Sequence, residues 1–251
     1  MPSRKDRDCR SGEIDGMADR NGPGIGLIAD SHGNIEATAE AIRLLKGRGA
    51  GILVHLGDFC DSVRRDRTGA MIRLLRENGV LAVKGNNDFF VESLQADERR
   101  PPDPEAEPAG AFLKTVPLTR ALDGLLFAHS LPFDTLRSFY EPIDTGSTQR
   151  AERLFAETDF GLLFCGHSHL PIIFRKAGTR VTREQAPPGE KLVLRTMGDT
   201  PNAKTHDNTP DRFIVIVGAA DDGECAFYDR EAGIYERIRI FTHQSGGYDG
   251  G

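Results

Sequence analysis

His167 and His169 stand two residues apart in Gly166-His167-Ser168-His169, directly behind the apolar run Leu162-Leu163-Phe164-Cys165. Two imidazoles at the mouth of a strand can turn toward one cation, so the pair suits metal ligation. Four more apolar runs end in the same way. Ile25 to Ala29 leads into Asp30-Ser31-His32-Gly33-Asn34, and Ile52 to Leu56 into Gly57-Asp58. Val80 to Val83 leads into Gly85-Asn86-Asn87-Asp88, and Leu125 to Ala128 into His129. Open sheets collect their functional residues at the carboxyl ends of the strands. The two carboxylates Asp30 and Asp58, the amide Asn86 and the four imidazoles of His32, His129, His167 and His169 exceed what one tetrahedral ion requires. They suit two ions about 3.5–4 Å apart sharing one carboxylate. The mixed oxygen and nitrogen donors favour divalent Mn, Fe, Zn, Co or Ni over Ca or Mg, without choosing among them.

These donors need strands and helices to carry them. Asn34 can cap a helix with Ile35, Ala39, Ile42 and Leu45 at helical spacing and Gly47 and Gly49 past its end. A second helix, carrying Met71, Ile72, Leu74 and Leu75, stops near Gly79. Strands alternating with helices at this spacing predict parallel sheet with helices on its faces. Leu118 to Leu122 and Leu125 to Ala128, joined by Asp123-Gly124, predict a tight hairpin. Past Leu170 the chain turns strand-rich, at Ile172 to Arg175, Lys191 to Arg195, Phe213 to Val217, Cys225 to Tyr228 and Ile234 to Phe241, which predicts a second, partly antiparallel sheet. The segment 95–110, rich in Pro, Glu, Asp and Arg, reads as a surface insertion.

The order of the motifs resembles the calcineurin-like metallophosphoesterases, whose pattern reads Asp-x-His, Gly-Asp, Gly-Asn-His-Asp or -Glu, His, Gly-His-x-His. The resemblance covers roughly Ile25 to Leu170. It implies an α/β fold, a four-layer α-β-β-α sandwich of two mixed sheets flanked by helices, with a dinuclear metal site at the strand C-terminal ends. It also implies that Asp30, His32, Asp58 and His169 hold one ion and Asp58, Asn86, His129 and His167 the other, with Asp58 bridging. The implied reaction is hydrolysis of a small phosphoester, a phosphodiester ahead of a monoester, by a metal-bound hydroxide. Asn87, Asp88 and His129 are the candidate catalytic residues. Asn86 or His129 would grip the phosphoryl group beside the metals, Asn87 would donate a hydrogen bond to one of its oxygens, and Asp88 would orient the segment of Asn87.

Departures from the pattern narrow the branch. Asn87 occupies the place of a histidine thought to protonate the leaving group, and an amide has no proton to give near neutral pH. Asparagine there is similar to the small bacterial phosphodiesterase-like branch. Ser62 stands where the phosphoprotein phosphatase branch carries arginine, which argues against that branch. The Asn-Pro-Gly-Ser segment of the small bacterial branch is absent, and Arg195-Thr196-Met197-Gly198-Asp199 is its nearest counterpart. One alternative is a non-enzymatic metal-binding scaffold of the same fold. A second is an amidohydrolase, although there the His-x-His pair comes early, after the first strand of a barrel.

The remaining features exclude more than they assign. Gly22, Gly24 and Gly26 stand before or within the first apolar run rather than after it, so they do not form a dinucleotide fingerprint. Ser168 lacks the second glycine of a nucleophile elbow, because Leu170 occupies its place. His55, His206 and His243 have no ligand-type partners in sequence and read as structural. A net charge of −6 over 251 residues offers no general attraction for nucleic acid. The four cysteines, Cys9, Cys60, Cys165 and Cys225, form no C-x-x-C pair and fit a reducing cytoplasm. No run approaches the ~18 apolar residues of a membrane span. Residues 1–24 read as a disordered leader with Met17 a candidate start, 25–243 as one domain, and 244–251 as a flexible tail. The sequence leaves the oligomeric state open.

Overall fold

The computed structural model describes residues 12–13, 22, 24–95, 106–135, 137–195 and 210–240. Two sheets stack face to face. In the six-stranded sheet, β2 (Gly24–Ile28), β3 (Ala50–His55) and β4 (Leu81–Ala82) run parallel. Antiparallel β12 (Glu224–Asp229), β13 (Ile234–Arg239) and β10 (Lys191–Val193) extend it, giving the order β10-β13-β12-β2-β3-β4. The seven-stranded sheet contains β1 (Gly12–Glu13), β5 (Thr119–Leu122), β6 (Leu125–Ala128), β7 (Leu162–Cys165), β8 (Ile172–Ala177), β9 (Arg180–Gln185) and β11 (Arg212–Ile216). Its order is β1-β5-β6-β7-β11-β8-β9, with β6, β7 and β11 parallel at its centre.

Side chains alternate across each strand, so every central strand feeds two cores. Ile25 and Leu27 of β2, Val54 of β3, Leu162 and Phe164 of β7, and Phe213 and Val215 of β11 fill the space between the sheets. The alternate residues face outward. Ile28 and Leu53 meet Ala41, Ile42 and Leu45 of α1 (Ile35–Gly47), Met71, Ile72 and Leu75 of α2 (Thr68–Glu77), and Ala109 and Leu113 of α4 (Ala106–Thr115). Leu163, Cys165, Ile214 and Ile216 meet Ala151, Leu154 and Phe155 of α6 (Gln149–Glu157). Two sheets with helices on both outer faces are the expected four-layer α-β-β-α sandwich.

Asn34 caps α1 as predicted, its side chain accepting the Ala37 N–H at 3.1 Å. The hairpin at Asp123-Gly124 also forms. Both residues take positive φ, 49° and 79°, the backbone of a primed turn.

Four details differ from the sequence reading. The late strands form no sheet of their own: β8, β9 and β11 join β5, β6 and β7, whereas β10, β12 and β13 extend the sheet of β2, β3 and β4. Residues 106–110 of the expected insertion begin α4, which packs on α2 and on α3 (Asn86–Gln95). Pro108 falls in the first turn, where a missing N–H costs no helical hydrogen bond, so proline density misled the compositional reading. Strand β9 went unassigned because Arg180-Val181-Thr182-Arg183-Glu184-Gln185 is an edge strand with little apolar surface to bury. Within the expected leader, Gly12 and Glu13 pair in parallel with Arg120 and Ala121. Residues 1–11, 14–21, 96–105, 196–209 and 241–251 lie outside the described residues, and with them Cys9, Met17, His206, His243 and the tail. Among the described residues no helix is long and apolar enough to cross a membrane.

Candidate metal centre

All seven predicted ligands meet where the C-terminal ends of β2, β3 and β4 face those of β6 and β7. Backbone hydrogen bonds continue past the strand ends and fix the loops to one another. Asp30 N–H donates to Gly57 O (3.1 Å), His32 N–H to Asp58 O (2.9 Å), and Gly166 N–H to His129 O (2.9 Å). The backbone there is strained. Six non-glycine residues among those described have positive φ, and five are candidate ligands: Asp30 (50°), His32 (45°), Asp58 (55°), His167 (75°) and His169 (58°). Such conformations cost about 1–3 kcal/mol each and persist only where the surroundings over-determine them. The glycine of each Gly-Asp and Gly-His motif has its own steric reason. A Cβ on Gly57 would lie 2.6 Å from His129 Nδ1, and one on Gly166 would lie 2.5 Å from Asp30 Oδ2.

Two donor groups share Asp58. On one side His32 Nε2 and His169 Nε2 approach to 3.1 Å, with Asp30 Oδ1 3.8 Å from His169 Nε2 and Asp58 Oδ2 3.9 Å from His32 Nε2. On the other, His129 Nε2, His167 Nδ1 and Asn86 Oδ1 lie mutually at 3.1 Å, with Asp58 Oδ2 3.5 Å from His129 Nε2. His129 Nδ1 donates to Leu56 O at 2.9 Å, which leaves Nε2 with its lone pair facing His167 and Asn86. With Asn86 Oδ1 turned inward, the convergent lone pairs repel unless a cation sits among them. Turned over, the amide nitrogen would instead donate to both rings. The donor chemistry fits divalent metal.

Electrostatics agree. Burial, then the neighbouring Asp58 carboxylate, push Asp30 well above the usual carboxylate range, a strain that adjacent positive charge relieves. Burial also pushes Asp58 up, but the His129 ring and hydrogen bonds from Asn87 outweigh it and hold the group below its ordinary value. Burial lowers His32, and burial with the nearby His129 ring lowers His167 to about 4, so both present neutral, ligating rings at pH 7.

The candidate catalytic residues fall into different places. His129 belongs to the second donor group. Asn87 clamps Asp58, its backbone N–H donating to Oδ1 and its Nδ2 to Oδ2, both at 2.8 Å. Asp88 is fully buried, and its oxygens accept the N–H groups of Asp58 (2.8 Å), Cys60 (2.8 Å) and Gly85 (2.9 Å), tying the loop after β3 to the one after β4. Burial and the Asp58 charge push Asp88 up to about 8 against those three donors. His55, read as structural from the sequence, is buried with its Nε2 2.8 Å from Ser31 Oγ.

Sequence reasoning missed an outer ring of carboxylates. Asp61 Oδ2 lies 3.6 Å from His32 Nδ1, and Asp222 Oδ2 lies 3.3 Å from His169 Nδ1, each behind the ring it faces. Asp221 accepts from Asn34 Nδ2 (2.9 Å) and from Arg64 (3.0 Å), whose guanidinium also donates to His32 O (2.9 Å). The signal was present. The apolar run Phe213 to Val217 leads through Gly218-Ala219-Ala220 to Asp221-Asp222, a sixth strand delivering acid to the same end.

Comparison with known proteins places this arrangement. The solved structure of a metallophosphoesterase from Sphaerobacter thermophilus aligns at a TM-score of 0.66 and 19% identity, covering 89% of this chain and 90% of that one. A structure provisionally named a diadenosine tetraphosphatase aligns at 0.50 and 15% identity, covering 87% and 94%. At these identities the likeness bears on the fold alone. None of the curated proteins compared matches the sequence. The His-x-His pair follows β7 of a two-sheet sandwich instead of the first strand of a barrel, which removes the amidohydrolase alternative. The model of the calcineurin-like phosphoesterase superfamily domain matches residues 24–191, more than half of the sequence, and the chain belongs to that superfamily.

Proposed function

We propose that this chain, with residues 25–243 acting as one domain, hydrolyses a small phosphoester, a diester in preference to a monoester, with two divalent transition-metal ions. The observation that carries the proposal is the position of Asp58 between two donor groups, 3.9 Å from His32 Nε2 and 3.5 Å from His129 Nε2. Asp30, His32, Asp58 and His169 are assigned to one ion, and Asp58, Asn86, His129 and His167 to the other, with Asp58 shared. When bound, the ions supply Lewis acidity at the phosphoryl oxygens and lower the pKa of coordinated water toward ~7.

The chain's own residues set the geometry and the preference. Asn87 steadies the shared carboxylate with its backbone N–H and one hydrogen of Nδ2, and the second Nδ2 hydrogen is left to donate to a phosphoryl oxygen. Asp88 acts as a positioning residue beneath it. Six carboxylates, Asp30, Asp58, Asp61, Asp88, Asp221 and Asp222, line or back the site, and Arg64 is the guanidinium that reaches it. A dianionic monoester meets that acidic surround less favourably than a monoanionic diester does. Cys60, Cys165 and Cys225 are free, buried thiols, which supports a cytoplasmic location.

The test pairs elemental analysis with kcat/KM for p-nitrophenyl phosphate and bis(p-nitrophenyl) phosphate. The proposal expects about two ions per chain, a lead for the diester, and loss of metal from both donor groups in Asp58→Asn. Metal without turnover of either ester supports the scaffold alternative. A monoester lead of about tenfold, ~1.4 kcal/mol in transition-state terms, reverses the diester assignment.

A further inference from the structure

Five large apolar side chains stand exposed among the described residues: Val63, Phe90, Tyr140, Leu170 and Val193. Singly, such residues need no explanation, but a group around one site does. Val193 lies on β10, at the outer edge of the six-stranded sheet. The other four all sit on segments that carry or touch a candidate ligand. Val63 belongs to the loop of Asp58 and Asp61 and precedes Arg64, which bonds to His32 O. Leu170 follows His169. Phe90 lies one turn beyond Asn86 on the same face of α3. Tyr140 is the last residue of α5 (Arg137–Tyr140), and its carbonyl lies on the side of the His167 ring. Its own ring is braced by Phe139 at 4.9 Å between centroids, and Phe139 in turn by Phe89 at 5.3 Å. The aliphatic pair thus shares segments with His169 and with the loop that bonds to His32 O, and in the aromatic pair Phe90 shares α3 with Asn86 while Tyr140 flanks Phe139, which packs on Phe89.

We infer that this rim seats the organic part of the substrate: a phosphodiester bearing a planar aromatic group, which lies against Phe90 and Tyr140 beside Asn86 and His167. The inference rests on the phosphoesterase reading above and names its substrate class. Aromatic faces offer stacking to any planar ring. A tail of further phosphates is disfavoured by the opposite border, where Asp61, Asp221 and Asp222 stand and where Arg64 is already held by Asp221 and His32 O.

Binding and turnover test it separately. Diphenylphosphinate and dimethylphosphinate mimic diesters, carry one charge and cannot be hydrolysed. Titrated into the metal-loaded chain by calorimetry, the phenyl compound is expected to bind at least tenfold more tightly. Tyr140→Ser and Phe90→Ser should each cut that ratio about fivefold, while Val193→Ser leaves it unchanged. Equal affinity for the two phosphinates, or a ratio insensitive to both rim substitutions, overturns the inference. So does a chain that sediments as a dimer and becomes monomeric in Tyr140→Ser with the phosphinate ratio near one, because the rim is then a contact between copies. If the phosphinate result holds but neither p-nitrophenyl ester is turned over, the rim stands as a binding site and the hydrolytic reading fails.

Discussion

The two donor groups that meet at Asp58 are built differently. In the second, His129 is 1% exposed at its side chain and its Nδ1 is held by a main-chain carbonyl, Leu56 O, from inside β3's loop. In the first, His169 is 36% exposed and His32 is 16% exposed, and the groups behind their rings are side-chain carboxylates, Asp222 and Asp61, on separate loops. A main-chain acceptor cannot swing away, whereas a carboxylate on an exposed loop can. Pre-organisation therefore differs between two donor groups of nearly the same composition, and with it the cost of ordering each group around an ion.

That contrast is sharpest in metal binding. Manganese titrated calorimetrically into chelator-treated protein should bind in two steps separated by about tenfold or more in affinity, ~1.4 kcal/mol. His129→Ala should abolish the tighter step and His169→Ala the weaker one. One indivisible step, or both variants losing the same step, breaks the comparison.

A more conditional effect concerns the residue that steadies the shared carboxylate. Asn87→His should place an imidazole where the chain has an amide and flatten the dependence of rate on leaving-group pKa. Gains of up to the ~10²–10⁴ of a positioned general acid are expected for alkoxide leaving groups and least for activated phenols. The measurement is a series of phosphodiesters run on both proteins at matched metal content, since the substitution also removes the side-chain donor to Asp58 Oδ2. A shallow slope in the unaltered chain means that another donor already protonates the leaving oxygen.

The smallest effect should come from the outer ring. Asp222→Asn should weaken the first site by roughly 10–100-fold, the range for groups behind a ligating histidine, and leave the second untouched. Affinity at each step is the readout. An unchanged weaker step would show that solvent supports His169 as well as the carboxylate does.

Legibility followed how closely chemistry trails an apolar run. Asp30, Asp58, His129 and His167 come within three residues of their strands, so strand and ligand were read together. Asp221 and Asp222 stand five and six residues past Ile216, carry no imidazole, and lie beyond the segment that matches the family. The apolar run Phe213 to Val217 ahead of them was a weaker form of the same signal, and its bearing on the site became plain with β11 seen beside β7. Asn87 was visible as a departure from a pattern, but its grip on Asp58 is a tertiary fact that no spacing carries. The parallel sheet was legible because short apolar runs alternate with helices, and the four-layer arrangement was implied by the family resemblance alone. Helix α4 was hidden by composition, and β9 by its place at an edge, where a strand needs little hydrophobic surface.

The left-handed backbone at Asp30, His32, Asp58, His167 and His169 sets this protein's heat tolerance against its chemistry. Glycine would be more comfortable than the native residue at each of these positions, and asparagine nearly so. A selection for thermal survival of the metal-free chain, with no demand for turnover, should therefore drift toward glycine and asparagine at these five places first. Its winners would be the most durable and the least able to hold an ion.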